Sequence, residues 1–270
     1  MPAISVIDQL GVNIELTGQP KRIVSIVPSQ TELLHYLGLE EEVVGLTKFC
    51  INPEHWYRNK PRVGGTKKVD IKKVAALKPD LVIANKEENT REDVAALQHI
   101  APVYVSDIKD LKDAQEMIES IGVLCGKEEK SKELNDTISS SFEHLESSIS
   151  QTQELRVLYL IWKDPIMAAG KDTFIQAMLD QARFVNALDT DDQRYPSLNK
   201  EQILSMKPDV LFLSSEPFPF KGKHSEEIRQ MFPEQHVVEV DGEAFSWYGS
   251  RLLKTADYLL KLRQELRVLP

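Results

Sequence analysis

The stretch Phe245-Ser246-Trp247-Tyr248-Gly249-Ser250-Arg251 places three aromatic rings and a guanidinium immediately before a predicted helix. Aromatic faces accept a flat, partly apolar ligand, and a guanidinium pairs with a carboxylate or phosphate, so this composition suits a recognition loop. At least one of Phe245, Trp247 and Tyr248 is expected to face a ligand while the others anchor the loop. Arg251 serves a structural ion pair equally well. Phe49 follows the second predicted strand, Trp162 ends the first strand of the second half, and Tyr195 precedes the second repeat's helix. Rings next to strands belong to the core more often than to a site, so both expectations attach to each.

Chemistry that would change a substrate is not signalled. The chain has no Gly-x-Ser-x-Gly nucleophile elbow, no His-Glu-x-x-His helix and no dinucleotide glycine fingerprint. Gly64-Gly65-Thr66-Lys67-Lys68 permits close backbone approach, but its order is not that of a phosphate loop. Binding without turnover is therefore expected, with no cofactor. Cys50 and Cys125 have no zinc or redox spacing. His35 falls on the first predicted helix, and His55 neighbours Trp56 and Tyr57 in a predicted ligand-facing loop. A lone histidine is seldom a ligand, and His99, His144, His224 and His236 show no metal spacing, so no metal site is assigned. A formal net charge of −9 argues against nucleic acid as a partner. Lys67, Lys68, Lys72 and Lys73 read as a solvated helix face.

The elements that must position these residues are repeated. Lys73-Val74-Ala75-Ala76-Leu77-Lys78-Pro79-Asp80-Leu81-Val82-Ile83 is echoed by Gln202-Ile203-Leu204-Ser205-Met206-Lys207-Pro208-Asp209-Val210-Leu211-Phe212. In each copy a helix is expected to stop at Lys-Pro-Asp, because proline disfavours helical geometry in the residue before it, and a buried strand follows. Strands are predicted at 23–27, 43–46, 81–84 and 103–105, and again at 157–161, 184–185, 210–213 and 237–240. Amphipathic helices separate them, which implies mainly parallel sheets flanked by helices. Ser29-Gln30-Thr31-Glu32 reads as a capping box, with Thr173 and Gln176 as its counterpart. Ligands bind beyond the carboxyl ends of strands in open α/β sheets, so Pro28–Gln30, with Ser29 and Gln30, and Met167–Asp172 become candidate ligand walls. Between the halves, Leu134, Ile138, Phe142, Leu145 and Ile149 recur at helical spacing without Gly or Pro. The expected organisation is an α/β lobe over 1–126, a bridging helix over 127–152 and a second α/β lobe over 153–270.

Arg22-Ile23-Val24-Ser25-Ile26-Val27-Pro28-Ser29-Gln30-Thr31-Glu32, the Leu77–Ala84 stretch and Ser250-Arg251-Leu252 together resemble the solute-binding proteins of ABC importers for vitamin B12, haem and ferric siderophores. In that family one long helix joins two α/β lobes. The B12-binding members are most similar, through the Pro28 loop and Tyr195-Pro196 followed by Lys200-Glu201-Gln202. The resemblance implies capture of a small-molecule metal chelate in an interlobe cleft by a monomer, and delivery to a permease. Phe49, Trp162 and Tyr195 fall where the B12-binding relatives carry cleft aromatics, and Thr66 stands where they carry a tryptophan. Relatives present an acidic residue on each lobe to permease arginines. Glu201 matches one, and Lys72 reverses the other. No 18-residue apolar run or leader pattern is seen. The expectation is a periplasmic or membrane-surface location if a leader has been removed, and a cytoplasmic one if Met1 is the native start. A cytoplasmic chelate carrier or sensor on the same scaffold is the first alternative, and an enzyme whose scattered catalytic groups meet in the cleft is the second.

Overall fold

The computed structural model describes residues 4–188 and 193–266. The chain divides into two compact units, one of residues up to 108 with 112–137 and 248–251, the other of 109–111, 138–247 and the segment from 252 onward.

The first unit opens with an antiparallel hairpin, β1 (Ile4–Ile7) and β2 (Asn13–Leu16). It continues through β3 (Ile23–Ser25), α1 (Pro28–Tyr36), β4 (Val43–Leu46), α2 (Glu54–Asn59), the small hairpin β5 (Gly64–Gly65) and β6 (Lys68–Val69), and α3 (Ile71–Ala76). Then come β7 (Leu81–Asn85), α4 (Arg91–Gln98), β8 (Val103–Ser106) and α5 (Leu111–Cys125). Its main sheet is parallel throughout, in the order β4-β3-β7-β8. Every residue of β3, β7 and β8 is buried, as expected for parallel strands covered on both faces.

α6 (Glu128–Ile149) carries the chain from the first unit into the second, and the division falls between 137 and 138 inside it. Its 22 residues span about 33 Å. The predicted stripe of Leu134, Ile138, Phe142, Leu145 and Ile149 is buried along its length.

The second unit repeats the plan with β9 (Leu155–Trp162), β10 (Met167–Ala168), α7 (Phe174–Gln181), β11 (Phe184–Asn186), α8 (Lys200–Ser205), β12 (Val210–Ser214), α9 (Lys223–Met231) and β13 (His236–Val240). It closes with α10 (Gly242–Ser246) and α11 (Leu252–Glu265). Parallel strands run in the order β11-β9-β12-β13, so β3, β4, β7 and β8 correspond to β9, β11, β12 and β13. All eight predicted strands are present. β10 pairs antiparallel with the distal half of β9. Among the described residues no helix is long and apolar enough to cross a membrane.

The sequence repeat is a structural corner made twice. α3 and α8 end at Leu77 and Met206, and the next residues, Lys78 and Lys207, adopt left-handed backbone with φ of 47° and 49°. Proline then prevents the helix from continuing. Asp80 accepts from the backbone N–H groups of Lys21 (2.8 Å) and Arg22 (2.9 Å), just ahead of β3. Asp209 accepts from the N–H of Arg156 (2.7 Å) on β9. Each arginine reaches back to the spent helix: Arg22 Nε donates to the Leu77 carbonyl (2.7 Å) and Arg156 Nη2 to that of Met206 (3.2 Å). One Arg–Asp pair thus ties each helix end to the strand beside it.

The expected capping box at Ser29–Glu32 is not formed. Pro28 starts α1 at its first turn, where its missing N–H costs nothing, and Val27 is an N-cap without side-chain bonding. Thr31 turns inward, donating to the Val27 carbonyl (2.8 Å) and pairing with Ser25 Oγ (2.7 Å). Thr173 does cap α7, accepting from Gln176 N (3.1 Å), but the Gln176 side chain goes to Asp180 and Asn186. The reciprocal capping box is at Asn199 and Gln202, opening α8.

Candidate functional site

In a 2-1-3-4 strand order the connections leaving the first and third strands diverge, opening a recess at their carboxyl ends. In the first unit those strands are β3 and β7; in the second, β9 and β12.

At the β3/β7 end, a buried amide network fixes the loops. Asn85 Oδ1 accepts from the N–H groups of Glu87 (2.9 Å) and Glu88 (3.0 Å), and its Nδ2 donates to Ser106. Asn89 accepts from Asn85 N (2.8 Å) and donates to the Thr66 carbonyl (3.0 Å). Gln30, fully buried, donates to Ser106 Oγ. The expectation that Pro28–Gln30 forms a ligand wall is corrected here: Ser29 and Gln30 lie inside the first turn of α1, and Gln30 braces β8 from within. Thr66 is buried and held by its backbone.

Phe49 and Glu88, in the loops after β4 and β7, are not fully buried. Phe49, half exposed after β4, has Lys48 Nζ 4.9 Å from its ring centroid. Gly65 is its neighbour, and a Cβ there would come within 3.2 Å of Phe49 Cε2. Glu88 was not anticipated. Burial pushes its carboxyl above the usual range, Lys67 opposes this and Glu87 adds to it. The only hint in the sequence is Asn85-Lys86-Glu87-Glu88-Asn89 directly after a buried strand.

At the β9/β12 end the chemistry is aromatic. Trp162 closes β9 with 40% of its surface exposed, and its indole N–H donates to the Asp164 carbonyl (3.2 Å). Phe218, just beyond β12, meets it edge-on at 5.5 Å and in turn contacts Phe220 and His224, each at 4.9 Å. The loop under Phe218 is pinned by Ser214, which accepts from Tyr159 OH (3.0 Å) and donates to the Glu216 carbonyl (2.5 Å). Ser246 holds the Glu216 carboxylate (2.6 Å). Gly242 lets this loop and α10 touch, since a Cβ there would sit 2.5 Å from Ser214 Oγ and 2.6 Å from Glu216 Cγ. The Phe218 tier was absent from the sequence expectations. Met167–Asp172, expected as a wall, begins as β10 against β9.

The predicted recognition loop is divided. Phe245 is fully buried against Tyr159 (5.0 Å), Phe212 (6.1 Å) and Tyr258 (6.3 Å), so it anchors the core and offers no face to a ligand. Trp247 and Tyr248 are also buried, with 7% of each exposed. Arg251 forms an ion pair with Glu32 of α1 (3.0 Å), both side chains largely buried, which is the structural alternative weighed for it. Tyr195 is half buried, with the Arg194 guanidinium 5.7 Å from its ring centroid. Glu201 and Lys72 are both exposed, each two residues past the N-cap of its repeat helix, Asn199 or Asp70, so the charge reversal falls on equivalent positions.

The sequence pattern of the family described as periplasmic binding protein matches residues 23–237. An uncharacterised ABC transporter substrate-binding lipoprotein of Bacillus subtilis, YvrC, is 30% identical over 270 residues, covering 95% of this chain and 84% of the relative. Among solved structures, the periplasmic vitamin B12 binding protein BtuF of Vibrio cholerae superposes with a TM-score of 0.79 at 22% identity, over 91% of this chain and 98% of that one. The periplasmic haem-binding protein RhuT of Roseiflexus sp. RS-1 gives 0.75 at 20%, over 93% and 98%. The siderophore-binding protein BauB gives 0.80 at 16%, over 97% and 99%.

Proposed function

Because the chain belongs to the periplasmic binding protein family, in which proteins capture solutes for import and do not transform them, we propose that its ligand is a metal chelate with a broad apolar face, a corrinoid before a haem or ferric siderophore. Trp162 carries this reading. It is the half-exposed indole that ends β9 beside the strand-order reversal, held by the Asp164 carbonyl and backed by Phe218. An aromatic face fixed from behind binds a flat macrocycle without paying for ordering its own rotamers. Phe49 gives the first unit an exposed aromatic of its own, beside Lys48 and Gly65. Arg251 is held by Glu32, so the anionic arms of a haem or catecholate have a weaker claim than the uncharged amides of a corrinoid. Family membership and the lipoprotein relative support a working place on the outer face of the cytoplasmic membrane with an ABC permease as partner.

The experiment is a titration of the purified chain with cyanocobalamin, haemin and a ferric siderophore, followed by ligand absorbance and tryptophan fluorescence. Saturable binding of one of them without product is expected. Trp162→Ala is expected to weaken it roughly ten- to hundred-fold with an unchanged circular dichroism spectrum, as loss of a central aromatic anchor does. No binding by any of the three, or steady conversion of one, refutes the proposal.

A second reading, a carrier or sensor that does not feed a permease, draws on Lys72, whose ammonium stands where the other repeat has a carboxylate. Lys72→Glu is expected to strengthen permease capture if the chain docks through both positions, whereas capture of neither form supports the carrier or sensor.

A further inference from the structure

His35, Glu40 and His55 come from three successive segments and converge in space: one donor atom from each falls within 4.8 Å of the others. His35 sits in the last turn of α1, Glu40 in the connection to β4, and His55 in α2. His55 Nε2 is 3.1 Å from Glu40 Oε2, and the two imidazoles meet edge-on at 5.3 Å. We infer that these three side chains form a binding site for a borderline divalent cation of the Zn2+, Co2+ or Ni2+ class, closed by solvent in its remaining position.

The donor set is the first reason. Two imidazoles and one carboxylate with an open position match the preference of such cations for mixed nitrogen and oxygen ligands. With metal–ligand bonds of about 2.1 Å, neighbouring donors in a tetrahedron lie about 3.4 Å apart, so the His55–Glu40 pair is already at that spacing. The wider separations, up to 4.8 Å, must close for all three to hold one ion.

The second reason is preorganisation. Trp56, fully buried, stands edge-on to His35 at 5.3 Å and to His55 at 6.4 Å, restricting both rings from one side.

The site is separate from the proposed ligand face. α1 starts at the carboxyl end of β3, and His35 lies about 10 Å further along it. One cation competes: Lys60 Nζ is 3.9 Å from Glu40 Oε1 and lies over the Trp56 ring at 4.8 Å. Its ammonium would repel a divalent ion and limit affinity.

The test uses the tag-free full chain, stripped with chelator, titrated calorimetrically with Zn2+ and spectroscopically with Co2+. One ion per chain is expected, with a Co2+ visible band of low coordination number. His35→Gln and His55→Gln should each weaken binding roughly ten-fold or more. Lys60→Met, which keeps the stem over Trp56, should tighten it by about ten-fold. Absence of stoichiometric binding overturns the inference, as does an affinity unchanged in the double histidine variant. Should a histidine variant unfold, Glu40→Gln and Lys60→Met decide: unchanged affinity in both overturns it. Zn2+ should leave the chelate titration of the preceding section unaltered, so either proposal fails without the other.

Discussion

Replacing Asp80 or Asp209 by alanine tests whether the Lys-Pro-Asp repeat acts through the hydrogen bonds assigned to it. Asp80 accepts two backbone N–H bonds, at 2.8 and 2.9 Å, whereas Asp209 accepts one from Arg156, at 2.7 Å. A hydrogen bond to a charged acceptor contributes about 1.5–3 kcal/mol when shielded, but these donors are exposed and water replaces the lost acceptor. A discounted contribution of about 0.5–1 kcal/mol per bond follows. Asp80→Ala should therefore cost about 1–2 kcal/mol and Asp209→Ala about half as much. The backbone bonds from Asp80 N to Arg22 O and from Asp209 N to Arg156 O survive in the variants, which keeps both corners formed. Urea denaturation gives the total, and amide exchange along β3 and β7 or β9 and β12 assigns each loss to its own unit. An Asp209→Ala cost equal to or above that of Asp80→Ala refutes the bond counting. So does a loss of protection in the wrong unit.

Two further perturbations probe the first unit. Burial raises the Glu88 carboxyl, so the folded state favours its protonated form and stability is lost as the pH rises from the ordinary carboxylate value through the raised folded one. Glu88→Gln should raise Tm at pH 7.5, and the gain should fade as the pH falls below the ordinary carboxylate value; an equal Tm difference at both ends argues against a desolvated carboxylate. At the α5/α6 contact, a Cβ on Gly122 would lie 2.5 Å from Ser131 Cβ and collide with its Oγ. Gly122→Ala is expected to destabilise by about 1–3 kcal/mol in urea, less the modest gain in helix propensity, and Ser131→Gly should restore most of the loss. A neutral Gly122→Ala would mean the two helices separate without cost.

Elements were legible in the sequence where the signal is local. Alternating β-branched runs gave the eight parallel strands, and the stripe from Leu134 to Ile149 gave α6, because periodicity alone decides which face is buried. Lys-Pro-Asp marked the helix ends, but its arginine partners did not show, since Arg22 and Arg156 lie more than fifty positions from the aspartates they serve. His35, Glu40 and His55 are nearer in sequence, within twenty positions, but their spacing matches no metal motif. Read singly each histidine looked incidental, and only the fold of α1 against α2 joins them. Gln30 misled for the opposite reason: a polar side chain after a strand suggests a loop, yet Pro28 starts the helix so early that Gln30 points into the sheet.

The aromatics of the second unit show what further local information would have decided. Along β9 successive side chains alternate between faces. Leu158 and Leu160 belong to one buried cluster with Leu211, Leu213 and Phe220, and Trp162 continues their row at the last residue of β9, where Phe218 joins it. Tyr159 points to the opposite face, and there Phe245 completes a closed group with Phe212. Strand parity thus separates a ring that extends a core row into the open from rings that seal the other face. Trp162→Ala removes only the exposed end of its row, whereas Phe245→Ala opens a cavity expected to cost about 3–5 kcal/mol. A variant pair in which Phe245→Ala folds normally while Trp162→Ala unfolds the unit would reverse the assignment of the two rings and remove the basis for placing the ligand at the end of β9.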